Sequence, residues 1–117
     1  MSILDNIINS LNGKADKDLV NCTKPHIVES YVNGTSWYRV YSDGWCEQGG
    51  FATATAAGSP QQISLLKNFI NTNYSVFITR TATADSYLQV TITAQTLSNF
   101  TTGYACNKYW VACGYIS

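Results

Sequence analysis

The stretch WYRVYSDGWCEQGG, residues 37–50, surrounds one Ser-Asp-Gly turn with two tryptophans, two tyrosines, an arginine and a glutamate. The turn separates two strand-like halves, which predicts a β-hairpin. Because side chains alternate along a strand, Trp37 and Arg39 should share one face of the first strand, and Trp45 and Glu47 one face of the second. We therefore expect an ion pair between Arg39 and Glu47 that fixes the register of the two strands.

The composition of this hairpin allows three interpretations. In the first, which we favour, Trp37 and Trp45 are largely buried and the hairpin is structural. In the second, the chain is a free-standing lectin-like module whose two indole rings stack on sugars. In the third, Asp43 and Glu47 are the acid/base pair of a small glycan hydrolase, a reaction that needs two carboxyl groups at a controlled separation.

The length and charge of the chain describe one small, neutral domain. A chain of 117 residues provides one modest core, and 45% hydrophobic with 13% aromatic residues indicates a β-rich globular fold. Seven basic residues balance seven acidic ones, which argues against a nucleic-acid partner. No stretch approaches the roughly 20 apolar residues of a membrane span, so membrane insertion is not expected. A surface with so few charges favours a stable oligomer.

The four cysteines, Cys22, Cys46, Cys106 and Cys113, do not predict a metal site. No Cys-x-x-Cys pair is present and His26 is the single histidine, so zinc is not expected. Without a secretion signal, buried reduced thiols are the expected state, although four cysteines allow three disulfide pairings. The sequence also has no P-loop, nucleophile elbow or metalloprotease motif. We therefore expect no cofactor and no enzyme activity.

Residues 1–13 predict a short amphipathic helix. Its apolar positions follow helical spacing, and Gly13 provides a stop signal. A helix of about ten residues is not stable alone in water, so its apolar stripe must pack against something. We expect a bundle with the same helix from neighbouring subunits, and the alternative is packing on its own domain. The predicted oligomerisation residues are Leu4, Ile7, Ile8 and Leu11.

Residues 14–25 are a charged connector, and residues 26–117 have the alternating pattern of a β domain. Turn signals recur about every 8 to 12 residues and separate eight or nine short strands, which is typical of an antiparallel β-sandwich or jelly roll. Asn33-Gly34 is a strong hairpin signal between the first two strands. The predicted fold is therefore mainly β, with a short N-terminal helix.

Three segments resemble the C-terminal tip domains of bacteriophage tail fibres. They are WYRVYSDGWCEQGG at residues 37–50, NTNYSVFIT at 71–79 and YWVACGY at 109–115, and they occur in the order seen in that family. The resemblance covers residues 31–117. The segment LNGKADKDLVN, residues 11–21, is similar to the linker that joins fibre shaft to tip. The four cysteines depart from the family pattern, and the Met1 start indicates either a fragment of a longer fibre or a separately encoded tip.

The resemblance implies a function as well as a fold. It implies a homotrimer whose β-sandwiches cluster round a three-fold axis at the distal end of the fibre. It implies attachment of the virion to a receptor on the bacterial surface, often a saccharide, without catalysis. It also implies synthesis in the cytoplasm of the host bacterium, in agreement with an N-terminus that lacks a positive region followed by an apolar run.

Receptor contacts are expected on loops at the distal end of such a tip, because rigid strands hold variable loops in place. If the strand ending at Tyr41 runs outward, the turns at residues 42–44 and 71–73 are distal, and those at 56–60 and 83–86 lie near the stem. The loop at residues 101–108 offers a ring, an amide and a cation, which suit a polar or acidic saccharide. The predicted ligand-binding residues are Asp43, Asn71, Asn73, Tyr104, Asn107 and Lys108.

Overall fold

The computed structural model describes residues 3–7, 24–56, 59–81 and 90–117, and more than half of them lie in antiparallel β-strands. Five strands form one sheet in the order β1-β2-β3-β8-β5, and three form a second in the order β4-β7-β6. The prediction of a mainly antiparallel β fold with two sheets is confirmed. The strands are β1 (Ile27–Asn33), β2 (Ser36–Tyr41), β3 (Trp45–Ala52), β4 (Gln61–Ser64), β5 (Ser75–Arg80), β6 (Ile92–Gln95), β7 (Asn99–Thr102) and β8 (Lys108–Tyr115).

One hydrophobic core lies between the two sheets. Both sheets contribute buried side chains to it, and the connection between β4 and β5 adds two stacked rings, Phe69 and Tyr74, with centroids 4.3 Å apart. We call the side of the five-stranded sheet that faces the core its inner face and the opposite side its outer face. The buried members of the core are Val40, Cys46, Ile63, Phe69, Tyr74, Phe100, Trp110 and Ala112.

Residues 3–7 are helical, in agreement with the prediction of a short N-terminal helix. Their three apolar side chains are exposed, with fractions of 80% for Ile3, 64% for Leu4 and 51% for Ile7. The predicted oligomerisation residues Ile8 and Leu11 lie outside the described residues. An exposed apolar stripe on so short a helix needs a partner, so the expectation of a bundle between subunits stays a prediction.

Consecutive glycines in the motif allow a tryptophan to lie against each face of β3. A Cβ atom on Gly49 would come within 2.9 Å of the indole nitrogen of Trp37 on the outer face and 2.6 Å of the Trp110 carbonyl oxygen. A Cβ atom on Gly50 would come within 3.3 Å of the indole nitrogen of Trp110 on the inner face. Gly49 and Gly50 therefore allow two indole rings to pack closely against the backbone of β3, and we do not interpret the pair as a hinge.

Gln48 connects the motif to the segment that follows β4. Its side chain is fully buried, and its amide nitrogen donates to the Lys67 carbonyl oxygen at 2.8 Å. Its amide oxygen accepts hydrogen bonds from the backbone nitrogens of Leu66, at 2.7 Å, and Lys67, at 3.0 Å. These three bonds satisfy backbone groups of the segment that leaves the sheet after β4 ends at Ser64.

The register of the hairpin is as predicted, but the ion pair is not formed. Arg39 and Glu47 lie directly opposite each other on β2 and β3. Glu47 instead accepts a hydrogen bond from the Tyr41 hydroxyl at 3.4 Å, and the Arg39 guanidinium lies 5.9 Å from the centre of the Trp37 ring. The prediction of the pair was wrong because two aromatic residues of β2, which flank Arg39 at a distance of two positions, offer other partners: Trp37 to Arg39 and Tyr41 to Glu47.

The two tryptophans of the hairpin are half-buried rather than largely buried. Trp37 lies over Gly49, and Trp45 makes an edge contact with Tyr115 at a centroid distance of 5.1 Å. Trp37 is level with Gly49 along β3, four residues beyond Trp45, so the two indoles do not form one stacking platform. This arrangement favours the structural interpretation of the hairpin over the sugar-stacking one.

Cys46, Cys106 and Cys113 are free thiols, and Cys22 lies outside the described residues. Cys46 is on the inner face of β3, and burial raises the pKa of its thiol to about 11. We expect a maleimide or iodoacetamide to label Cys46 at pH 8 roughly 100-fold more slowly in the folded protein than in urea, because only the thiolate reacts. The folded rate should rise about tenfold per pH unit until about pH 11. Mass spectrometry of the Cys46 peptide measures this, and equal rates with and without urea would contradict it.

Candidate functional site

We call the end of the sandwich where the chain enters, through Lys24–His26, the near end, and the opposite end the far end. At the near end the backbone nitrogen of Ser42 donates to the His26 carbonyl oxygen at 2.8 Å. The C-terminus returns to the same end, where the Ile116 nitrogen donates to the Gly44 carbonyl oxygen at 2.9 Å. At the far end lie the turn between β1 and β2 and the loops that precede β4, follow β5 and precede β8.

The predicted positions of turns 42–44 and 71–73, and of Ser59 in loop 56–60, are reversed. Turn 42–44 lies beside His26 at the near end, and Ile70 at the start of loop 70–73 bonds to Tyr115 at that same end. Loop 101–108 lies at the far end, where Ala105 also contacts Ser59 of the loop predicted to be near the stem. The prediction failed because β1 already carries the chain from the near end to the far end, so β2 runs back rather than outward. Residues 83–86 lie outside the described residues.

Two of the three near-end candidates, Asp43 and Asn71, shape turns with their side chains. The Asp43 carboxylate accepts a hydrogen bond from the Trp45 backbone nitrogen at 3.0 Å, and the Asn71 side chain accepts one from the Asn73 nitrogen at 2.9 Å. Side chains that bond the backbone two residues ahead in this way stabilise tight turns. These contacts and their position beside the arriving chain argue against a receptor surface at Asp43, Asn71 and Asn73.

Lys108 was predicted as an exposed cation, and this is wrong because its side chain is fully buried. Its ammonium donates to the Gln61 side-chain oxygen at 2.7 Å and to the Cys106 carbonyl oxygen at 2.9 Å. Burial lowers the pKa of this ammonium from its ordinary value. The Asn107 side chain is also engaged, because it accepts a hydrogen bond from the Ala54 nitrogen at 2.7 Å. Both residues join far-end loops to one another.

Tyr104 is the predicted residue best placed to meet a ligand. It is half-exposed in the loop before β8, and the Arg80 guanidinium lies 5.8 Å from the centre of its ring. Arg80 ends β5, directly opposite Lys108 in the register. Sequence reasoning missed Arg80 because it continues the alternation of β5 and follows no turn signal. The aromatic ring of such a pair can stack on a sugar, and the guanidinium can donate hydrogen bonds to a carboxylate or phosphate.

Other classes of site find no support in the part of the chain that the structure describes. No group of three histidine, cysteine or acidic side chains could hold a metal ion there. No helix within the described ranges is long and apolar enough to cross a membrane. A groove lined among others by Val32, Trp37 and Arg39 lies on the outer face of the five-stranded sheet.

No protein-family model and no curated protein matches the sequence. Two solved structures do match in fold. One is an N-truncated R2-type pyocin tail fibre, with a TM-score of 0.61 and 15% identity over 86% of this chain. The other is a C-terminal fragment of the R2 pyocin fibre of Pseudomonas aeruginosa, with a TM-score of 0.62 and the same identity and coverage. The chain spans 42% and 29% of the lengths of these two chains. Its fold is that of a tail-fibre domain.

Proposed function

We propose that this protein is the receptor-binding tip of a phage or phage-like tail fibre, a homotrimer that attaches the particle to a bacterial surface without catalysis. The observation that carries the proposal is the fold shared with two R2 pyocin fibre fragments. The three motifs at residues 37–50, 71–79 and 109–115 agree with it, since each contributes to one five-stranded sheet. The engagement of Asp43 and Glu47 in hydrogen bonds within the hairpin supports structural roles for both carboxylates.

In this proposal the far end meets the bacterium. A fibre shaft would join the domain where the chain arrives, at Lys24–His26, so the opposite end points away from the particle. The far-end loops hold Tyr104 and Arg80, whose ring and guanidinium favour an acidic saccharide, one with carboxylate or phosphate groups. The closely bonded loops around Asn107 hold these two side chains on a rigid base.

Mass in solution is the first test of the proposal. Sedimentation equilibrium of the full chain at low micromolar concentration should give three times the chain mass of 12.9 kDa. Fluorescently labelled protein should then bind to cells of some strains in a panel of bacteria, as measured by flow cytometry. A monomer that binds no strain in a broad panel would contradict the proposal.

Deletion of residues 1–13 should weaken the trimer without unfolding the sandwich. The described helical residues expose Ile3, Leu4 and Ile7, and a bundle of three such stripes would bury them. We expect the shortened protein to dissociate at a protein concentration at least about tenfold higher than the full chain, because each helix removes apolar side chains from water in the trimer. Sedimentation velocity measures this and circular dichroism monitors the fold. An unchanged trimer, or loss of β structure, would show that the helix has another role.

A further inference from the structure

The outer face of the five-stranded sheet is unusually apolar for a surface in contact with water. The longest apolar row of neighbours across the strands runs from Val32 through Trp37, Gly49 and Val111 to Phe77. The row beside it is mostly polar and consists of Ser30, Arg39, Glu47, Cys113 and Ser75. An antiparallel sheet with one solvated face normally alternates apolar and polar residues so that the solvated side is polar. Here the outer face as well as the inner face carries large apolar side chains, so we expect both faces to be shielded from water by packing.

Exposure confirms that nothing within the described residues covers this face. Phe77 is 62% exposed, Tyr109 51% and Tyr115 48%. The three side chains lie on β5 and β8, which form the half of the sheet opposite the β1–β2 hairpin. At that hairpin Val32 is 74% exposed. The apolar surface therefore extends across all five strands, whereas isolated exposed apolar residues would be scattered.

The chemistry of the face points to a protein partner rather than a saccharide. The small residues Gly49, Val111 and Cys113 at its centre offer no strong hydrogen-bond donor. Arg39 is the only positively charged donor that the described strands place on this face. Five strands about 4.8 Å apart and about 20 Å long give roughly 500 Å² in projection, before side-chain relief is counted. One partner contributes about 800 Å² to a standard protein–protein interface, so the face has the scale of such a contact.

Its charges fit a second copy of the same chain. Arg39 and Glu47 are the only charged side chains that the described strands place on this face. They lie opposite each other without forming an ion pair, and their partners Trp37 and Tyr41 carry no opposite charge, so neither charge is neutralised. In a ring of three copies whose outer faces point towards the three-fold axis, Arg39 of one subunit can meet Glu47 of the next, so each charge finds its opposite. A partner with a net charge on its surface would leave one of the two groups repelled.

We propose that the outer face of the five-stranded sheet is the contact between subunits in the trimer. The inference rests on the proposed trimer and adds to it the surface that holds the sandwiches together beyond the N-terminal helix. In the trimer Phe77, Tyr109 and Tyr115 are covered by the neighbouring copy, and Cys113 at the centre of the face is shielded from solvent.

The test is a charge placed on the face, with a matched charge placed elsewhere. Phe77→Glu should shift the full chain from trimer towards monomer at low micromolar concentration, because a carboxylate would be buried without a partner. Leu97→Glu is the control, since Leu97 is 47% exposed in the turn between β6 and β7 and lies outside the five-stranded sheet. It should remain a trimer. Sedimentation velocity measures both variants, and circular dichroism verifies that each is folded.

Alkylation of Cys113 gives a second readout that does not depend on one substitution. Iodoacetamide should label Cys113 at least about tenfold faster in Phe77→Glu than in the unaltered trimer, because a buried thiol is shielded from the reagent. Cys46, inside the core, should show no change. Tyr109→Glu provides a second variant on the same face, in case Phe77→Glu does not fold.

The outcomes separate this interface from the proposed function. If the unaltered protein is a monomer, the trimer and this interface are both wrong. If the unaltered protein is a trimer and folded Phe77→Glu and Tyr109→Glu remain trimers with unchanged Cys113 labelling, the interface alone is wrong. Dissociation of Leu97→Glu to the same extent would also contradict the proposed interface. The added charge would then weaken the trimer wherever it is placed, and not because it lies on the outer face.

Discussion

Replacement of Gln48 with methionine should lower the free energy of unfolding by about 3 kcal/mol or more, because a buried backbone group that loses its partner costs about 1–3 kcal/mol. Methionine keeps the length and approximate volume of the side chain, so the effect reports the three hydrogen bonds and not a cavity. Those bonds connect β3 to the backbone of Leu66 and Lys67. Urea unfolding monitored by tryptophan fluorescence measures the change.

Gln62 is the matched control for this experiment. It lies on β4 with an exposed side chain, whose one hydrogen bond within the described residues is to the Asn99 side chain, at 3.1 Å. Gln62→Met should therefore change the stability by no more than about 0.5 kcal/mol, as is usual for surface substitutions. All variants are compared at one protein concentration, since the unfolding of an oligomer depends on concentration. Equal effects at the two positions would show that Gln48 does not connect the sheet to this segment.

Replacement of Tyr104 with alanine should reduce binding to bacterial cells by at least about 100-fold, since a loss of about tenfold at each site is multiplied when a trimer engages several receptors. Tyr104 supplies the only described aromatic ring beside Arg80, and alanine removes both the stacking surface and the packing of the guanidinium. Arg80→Ala should have an effect in the same direction, and stronger on an acidic saccharide than on a neutral one. Flow cytometry with a strain that binds the unaltered protein measures both variants.

The controls for cell binding lie at the near end. Asp43→Ala and Asn71→Ala remove side chains that stabilise turns beside the arriving chain, and we expect binding within about twofold of the unaltered trimer, because neither side chain faces the far end. Sedimentation velocity must show a trimer for every variant compared. If folded, trimeric Tyr104→Ala retained binding and Asp43→Ala lost it, the receptor would bind at the near end and our proposal would be wrong.

Local patterns in the sequence predicted the local structure well. Alternation placed Trp37 and Arg39 on one face of β2, and Asn33-Gly34 introduced the first hairpin. In that turn Gly34 has a φ of +62° and Thr35 does not share the positive φ, as expected of a two-residue loop with glycine at its first position. These features depend on neighbours two to four residues apart, so the sequence contains the information.

Features that depend on distant partners could not be predicted in the same way. Lys108 follows a polar loop and resembles an exposed cation, but Gln61, which is 47 positions away, completes a buried site for its ammonium. Arg80 and Tyr104 come from different strands and loops, so only the pairing of β5 with β8 brings them together. The predicted positions of turns 42–44 and 71–73 depended on the direction of β2. Because β1 already crosses the sheet, β2 runs the opposite way and both positions are reversed.

Localisation of the bound surface tests the central claim, that the far end attaches the tip to bacteria, without any substitution. Hydrogen–deuterium exchange of the trimer is measured with and without cell-envelope fragments of a strain that binds it. We predict slower exchange in peptides that contain residues 53–56 and 103–107 at the far end, and unchanged exchange in those that contain 42–44 and 70–73. Protection of 42–44 and 70–73, with 53–56 and 103–107 unchanged, would contradict the account.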